Sequence, residues 1–163
     1  PTVGLSLNVR LTAVSETGDF IGLDNGLFVF ASHLRAVDQS PPADFVAVAE
    51  QFVGAPYLWG GRQWTGIDCS GLVQAALNAV GLAAPRDSDM QETGLGHAID
   101  AHGFDDPRRG DLVFWPGHVG ILTDADTLLH ATGYRMQVVI EPFAEAVERI
   151  RAAGPDIRSI RRL

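Results

Sequence analysis

Cys69 is the one cysteine in the chain, and Asp68 precedes it at what reads as the start of a helix. Helix N-termini collect free N–H groups and partial positive charge, and both favour a thiolate. Gly71, two residues on, lets something approach closely. The plain alternative is a buried, inert thiol, the commoner fate of a lone cysteine. His118 and His130 strengthen the reactive reading. They lie twelve residues apart, on two expected strands joined by a turn centred near Asp124. Positions equidistant from a hairpin turn face each other, which sets the two imidazoles side by side. A nucleophilic thiol needs a base, and the base needs a third group to fix its tautomer. His118 can serve as the base and His130 as its orienter. Gly120 shares the face of His118 and leaves room there for substrate. Two other readings stay open: a pair of satisfied histidines on a sheet, and a Cys-His-His metal site. The last lacks an obvious carboxylate to activate water.

The other candidates are weaker. His33, His97 and His102 read as surface residues, the last two on a mobile loop. Trp59-Gly60-Gly61 is either turn packing or the wall of a substrate groove just ahead of the nucleophile. Arg86 and Ser88 follow the cysteine helix. Arg86 is either a structural ion pair, the usual case, or a bidentate holder of a substrate carboxylate.

These residues need a scaffold, and 163 residues suffice for one domain, or one domain with an appendage. Hydrophobic residues make up 46% and charged residues 20%, the balance of a globular chain. The formal net charge of −8 argues against nucleic acid and anionic membrane surfaces as partners. All basic residues are Arg, so Lys-based Schiff-base chemistry is excluded. One cysteine also excludes an intrachain disulfide and a structural zinc site built on several cysteines. The longest uncharged run, 69–85, is too short and too polar to cross a bilayer, so no membrane insertion is expected. The first residue is not Met, so a leader or upstream domain is compatible with this start.

The chain opens with strand-like segments. Residues 7–11 alternate with period two, 16–19 and 24–26 are turn sequences, and 27–31 is a third strand candidate. Three strands rarely stand alone, so 1–38 is expected to be part of a small β-barrel. Residues 39–43, Gln-Ser-Pro-Pro-Ala, form a linker. Asp44 caps a helix carrying Phe45, Val48, Ala49 and Phe52. Residues 55–68 read as loop, and 69–80 as a buried helix stopped by Gly81. A further helix starts at Asp87 or Ser88, followed by a long polar loop with Gly94, Gly96 and Gly103. Strands are then expected at 112–115, 118–123, 128–132 and 137–141. A helix opens at Pro142, and a last strand runs over 157–163.

Taken together, Tyr57-Leu58-Trp59-Gly60-Gly61, Asp68-Cys69-Ser70-Gly71-Leu72-Val73-Gln74, Pro85-Arg86-Asp87-Ser88, Arg109-Gly110-Asp111-Leu112-Val113-Phe114-Trp115, His118-Val119-Gly120-Ile121 and Leu129-His130-Ala131 resemble the NlpC/p60 cell-wall peptidases. The resemblance covers about residues 44–142. It implies an α+β, papain-like fold, with 44–163 as the catalytic domain. It implies a Cys-His-His triad of Cys69, His118 and His130, and hydrolysis of γ-D-glutamyl bonds in peptidoglycan stem peptides through an acyl-enzyme. No cofactor or metal is implied. Asp68 would bind a free substrate amine. Tyr57, Arg86, Ser88 and the chain at Ser70 would line the γ-D-glutamate pocket, with Trp59 at its wall. Residues 27–34 resemble the last strand of bacterial SH3-like domains, of which 1–38 shows only a part. The resemblance implies that in relatives such a domain helps restrict the substrate to a free N-terminal L-Ala. The partner expected is a stem peptide or muropeptide fragment, and the chain is expected to be a monomer. Cell envelope and cytoplasm are both compatible with it. A Cys-His amidase or acyltransferase, or a wall-binding module without catalysis, are the rival readings.

Overall fold

The small N-terminal sheet forms where turn chemistry permits rather than where apolar residues first alternate. In the computed structural model, which describes residues 3–99 and 106–163, strands β1 (Ala13–Thr17), β2 (Phe20–Leu23) and β3 (Phe28–Phe30) pair antiparallel in that order. The two expected turns connect them, and Asn25 Oδ1 accepts the Leu27 N–H at 3.0 Å in the second. The strand expected at 7–11 is not one. Asn8 sits at φ 67, and the Val9 N–H donates to the Ser6 carbonyl, so the chain turns there. Among the described residues no strand pairs with this alternation, and Leu7 and Val9 stay exposed. A 3-10 turn, Ala31–His33, follows β3.

The chain divides into two compact units, Pro1–Pro41 and Pro42–Leu163. In the second unit, α1 (Phe45–Glu50) begins at Asp44, whose side chain accepts from the N–H groups of Val46 and Ala47. Two short strands, β4 (Arg62–Gln63) and β5 (Gly66–Ile67), pair within the expected loop. Helix α2 (Cys69–Ala79) is buried on nearly every side, and α3 (Ser88–Gly94) follows. Six antiparallel strands build the main sheet: β6 (His97–Ile99), β7 (Leu112–Trp115), β8 (His118–Leu122), β9 (Thr127–Thr132), β10 (Gln137–Pro142) and β11 (Ser159–Arg162). Their order is β10-β9-β8-β7-β11-β6, with α4 (Phe143–Ala152) between β10 and β11 in sequence.

Side chains alternate between the two faces of a strand, and here both faces are covered. Leu112, Phe114, Val119, Ile121 and Leu129 pack with residues of α1 and α2, among them Ala49, Leu72 and Leu77. Val113, Trp115, Leu122 and Leu128 pack with Phe143 and Ala146 of α4. This is an α+β fold: helices laid on an antiparallel sheet.

Part of the segment read as a long polar loop is a strand. His97 begins β6 and pairs with Arg162 on β11, so it lies on a sheet edge and not on a mobile loop. The close passage requires Gly96: a Cβ there would stand 2.1 Å from the Arg162 carbonyl oxygen, and its φ is +52. His102 and Gly103 lie outside the described residues.

Candidate active site

Helix α2 starts at Cys69 because Asp68 caps it. Asp68 has extended backbone angles, and its Oδ1 accepts from the Gly71 N–H at 2.7 Å. The same carboxylate takes four more bonds. Its Oδ2 accepts from the Gly60 N–H at 2.7 Å and from Arg86 at 2.6 Å; its Oδ1 accepts from Arg86 at 2.9 Å and from Ser70 Oγ at 3.4 Å. Burial alone would raise its pKa, but Arg86 and the two backbone N–H groups win and hold it below the usual carboxylate range. Arg86 also donates to Ser70 Oγ at 2.9 Å. Arg86 is therefore engaged in a bidentate ion pair within the chain. Gln91, fully buried in α3, ties the region down by donating to the carbonyls of Ser70 and Pro85.

The group that approaches Gly71 closely is the chain itself. A Cβ at Gly71 would meet the Gly61 carbonyl oxygen at 2.3 Å, so the aromatic-glycine loop lies directly on the first turn of α2. That loop presents Trp59 to solvent at 81% exposure and leaves Tyr57 half-buried. Burial, then the nearby Cys69 and Asp68, push the Tyr57 phenol upward. Ser88 opens α3 and is half-buried.

Cys69 is 6% exposed. Burial pushes its thiol pKa up, and the Asp68 charge adds to that. The N–H groups of Val119, Ser70 and Cys69 itself pull the other way and lose. Burial thus works against the thiolate that the helix N-terminus favours. The donors are present, but desolvation outweighs them.

Val119 is the neighbour of His118, so the thiol lies against the start of β8. The strands part at this point. The β8–β9 register runs Ile121↔Leu129 and Leu122↔Leu128 and stops there, which frees the Val119 N–H from the ladder. The register is displaced from the expected one, and its continuation opposes His130 to Gly120, not to His118. An offset of two residues keeps side chains on one face, and the imidazoles still meet: His118 Nε2 is 2.8 Å from His130 Nδ1. The space beside Gly120 holds protein and not substrate, since a Cβ there would stand 2.7 Å from the Leu128 side chain.

Burial first, then His130 and Arg149, push the His118 pKa down to about 3, while Glu141 pulls it up. Both shifts favour the uncharged forms, thiol and imidazole. Glu141 is a residue that sequence reasoning missed. Its Oε1 lies 2.7 Å from His130 Nε2, and Arg149 of α4 grips the same carboxylate with two bonds, at 2.5 and 3.0 Å. The His130 contact and Arg149 outweigh burial and hold Glu141 at about 2, so it is ionised. Its signal in the sequence was slight: one acidic residue ending an apolar strand, two places from Val139, which pairs with His130. Arg149 gave no signal apart from helical spacing on α4. Among the described residues no group of three or more His, Cys, Asp or Glu is arranged to hold a metal ion, and no helix is long and apolar enough to cross a membrane.

The structure brings His118 and His130 together and sets the Cys69 thiol against the N–H of Val119, the residue next to His118, with Asp68, Ser70 and Arg86 bonded around the start of α2. The same arrangement of elements recurs in known proteins. A NlpC/P60 family protein from Bacillus cereus ATCC 10987 superposes with a TM-score of 0.76 at 26% identity, over 97% of this chain and 55% of that one. Gamma-D-glutamyl-L-lysine dipeptidyl-peptidase of Bacillus subtilis is 33% identical over 107 residues, covering 59% of this chain and 34% of the relative. Dipeptidyl-peptidase 6 of Lysinibacillus sphaericus is 37% identical over 87 residues, covering 53% and 31%. The chain thus spans about a third of the length of these two curated relatives. The NlpC/P60 family description matches residues 54–152, which include every residue of the site. The chain belongs to the NlpC/P60 family.

Proposed function

We propose that the protein is a cysteine peptidase that hydrolyses γ-D-glutamyl bonds in peptidoglycan stem peptides or their fragments. The observation that carries this reading is the aligned pair His118–His130 at 2.8 Å, next to a thiol that meets the amide of Val119. Cys69 is the nucleophile, His118 the base and His130 its orienter. The proton moves to His118 Nδ1 as sulfur attacks the acyl carbon, an order that the raised thiol and lowered imidazole support. Backbone N–H groups at the start of α2 are placed to receive the oxyanion. His118 then protonates the leaving amine, and water releases the acyl-enzyme. The relatives' printed names, gamma-D-glutamyl-L-lysine dipeptidyl-peptidase among them, support the choice of bond.

Tyr57, Arg86, Ser70, Ser88 and Trp59 line the proposed γ-D-glutamate pocket, Arg86 while also paired with Asp68. Asp68 is the proposed amine-binding residue. Its five internal bonds support a second role, holding Arg86 and the helix start in place. We read 1–38 as part of an SH3-like domain, 39–43 as linker and 44–163 as the catalytic domain, acting as a monomer. The test is mass spectrometry of an L-Ala-γ-D-Glu-diamino acid tripeptide, with its amino terminus free or acetylated, incubated with wild type and Cys69→Ala. Release of L-Ala-γ-D-Glu by wild type alone is expected. Equal cleavage by Cys69→Ala would overturn the nucleophile assignment. No cleavage by wild type would favour a different acyl substrate.

A further inference from the structure

Behind His130 stands a carboxylate with nothing to do in the triad as drawn. Glu141 reaches His130 Nε2 at 2.7 Å from β10, and Arg149 reaches Glu141 from α4. Tyr134 caps the far side, its ring 4.6 Å from the Arg149 guanidinium. The Glu141 side chain is 10% exposed and that of His130 is fully buried. An ordinary surface ion pair does not explain this placement, because surface pairs contribute little and are not built against a buried imidazole.

The geometry points to Glu141 as a positioning residue that fixes the tautomers of both histidines in series, with Arg149 holding it in place. This rests on the peptidase reading for its consequence, though not for its chemistry. An ionised carboxylate can only accept hydrogen bonds. His130 must therefore place its proton on Nε2, facing Glu141. A neutral His130 then presents a bare Nδ1. The 2.8 Å contact to His118 Nε2 requires a proton between the two nitrogens, and only His118 can supply it. His118 thus carries its proton on Nε2 and leaves Nδ1 bare. That bare Nδ1 is the nitrogen required to take the Cys69 proton. Reversing either tautomer would put N–H against N–H, or leave His118 with its lone pair pointing the wrong way.

Arg149 has a second effect. It approaches both carboxylate oxygens, and its Nη2 shares Oε1 with His130. It keeps Glu141 ionised and aimed, and its positive charge offsets the pull that a lone carboxylate would exert on the histidines. The low pKa of Glu141 agrees with this, since the contacts to His130 and Arg149 outweigh its burial.

The test begins with wild type and needs no substrate. Long-range 1H–15N spectra of the imidazoles near pH 7, assigned with His118→Asn and His130→Asn, should show both histidines neutral and protonated on Nε2. A His130 protonated on Nδ1, or on both nitrogens, would overturn the proposal outright. In Glu141→Gln the side chain can donate as well as accept, so His130 should become a mixture of tautomers. On the stem peptide, kcat should fall about 10–100-fold, part of what a positioned base contributes, with KM within about twofold. Glu141→Asp should recover part of kcat, and Arg149→Met should fall between Glu141→Gln and wild type. Unchanged tautomers and kcat in Glu141→Gln would refute the role. If no stem peptide is cleaved by wild type, the peptidase reading fails while the imidazole spectra still decide this one.

Discussion

Replacing Asp68 by alanine tests whether that carboxylate is part of the scaffold. Five hydrogen bonds vanish at once: from the Gly60 and Gly71 N–H groups, from Ser70 Oγ and two from Arg86. Loss of the helix cap costs about 1 kcal/mol. The Gly60 N–H, left without its acceptor, adds about 1 kcal/mol. Breaking a fully buried ion pair costs about 3–5 kcal/mol, but the Arg86 side chain is 25% exposed and water can recover part of its solvation. A discount to about 1–2 kcal/mol is appropriate for that partial screening. The sum is about 3–4 kcal/mol. At about 2–4 °C per kcal/mol for a chain of this size, Tm should drop by about 6–16 °C. Arg86→Met and the double variant complete a cycle, and a coupling of about 1–3 kcal/mol is expected for groups in direct contact. The assay is urea unfolding at pH 7, followed by circular dichroism. A loss under about 1 kcal/mol, with no coupling to Arg86, would refute the structural accounting. It would return Asp68 to the single role of binding a substrate amine.

Three further outcomes follow from the same geometry. Gly71→Ala drives a methyl to 2.3 Å from the Gly61 carbonyl oxygen and should cost more than about 2 kcal/mol, whereas exposed Gly94→Ala, with only Pro85 Cγ at 3.7 Å, should change the urea midpoint little; equal effects would refute the close packing. Two groups make folding acid-sensitive. His118 stays neutral down to about 3 in the fold but titrates near 6.5 when unfolded, so the unfolded state binds more protons between those values and stability falls as pH drops through that window. Glu141, held at about 2 against 4.5, contributes fully above its unfolded value and loses that contribution as pH falls from there toward 2. Urea midpoints from pH 7 to 4 should decline, and less steeply in His118→Asn; a flat wild-type profile would be incompatible with the buried neutral imidazole. Finally, alkylation of Cys69 by iodoacetamide should still be accelerating above pH 9, because burial and Asp68 raise the thiol. A rate already at its plateau at pH 7 would mean a resting thiolate.

Much of the fold is legible because local chemistry and burial agree in it. Asp44 and Asp68 stop the chain from running extended, and the apolar spacing after each is helical. Runs such as 112–115 are apolar throughout because both faces of that strand are covered. Failures occur where partners decide. Residues 7–11 have strand-like alternation and, among the described residues, no strand to pair with. His97 sits in a polar, Gly-rich stretch, yet β11 arrives from the far end of the chain and makes a strand of it. The β4–β5 pair is held by local turns too short to show a period.

The site divides along the same line. Residues that act through spacing on one element, or across one hairpin, could be read: the 12-residue separation of His118 and His130 does bring the imidazoles together. What could not be read was how free energy is distributed among them. Gly71 and Gly120 look like openings for a ligand, but each is filled by the chain's own atoms. Asp68 looks like a lone acidic residue beside a nucleophile, but Arg86, 18 residues on, makes it half of an ion pair. A helix N-terminus favours a thiolate, but burial strips water from that charged form and pushes the thiol pKa up. Inside this core, desolvation opposes the helix start, and no sequence pattern reports the depth of burial. Glu141 extends the point. Its contact with His130 spans two strands and its partner Arg149 comes from a helix packed on the opposite face from α2. Only the sheet register and the docking of α4 together put a fixed negative charge behind the histidine pair. The proposed nucleophile and base can therefore be picked out from motif spacing, whereas the carboxylate proposed to fix the histidine tautomers depends on the fold as a whole.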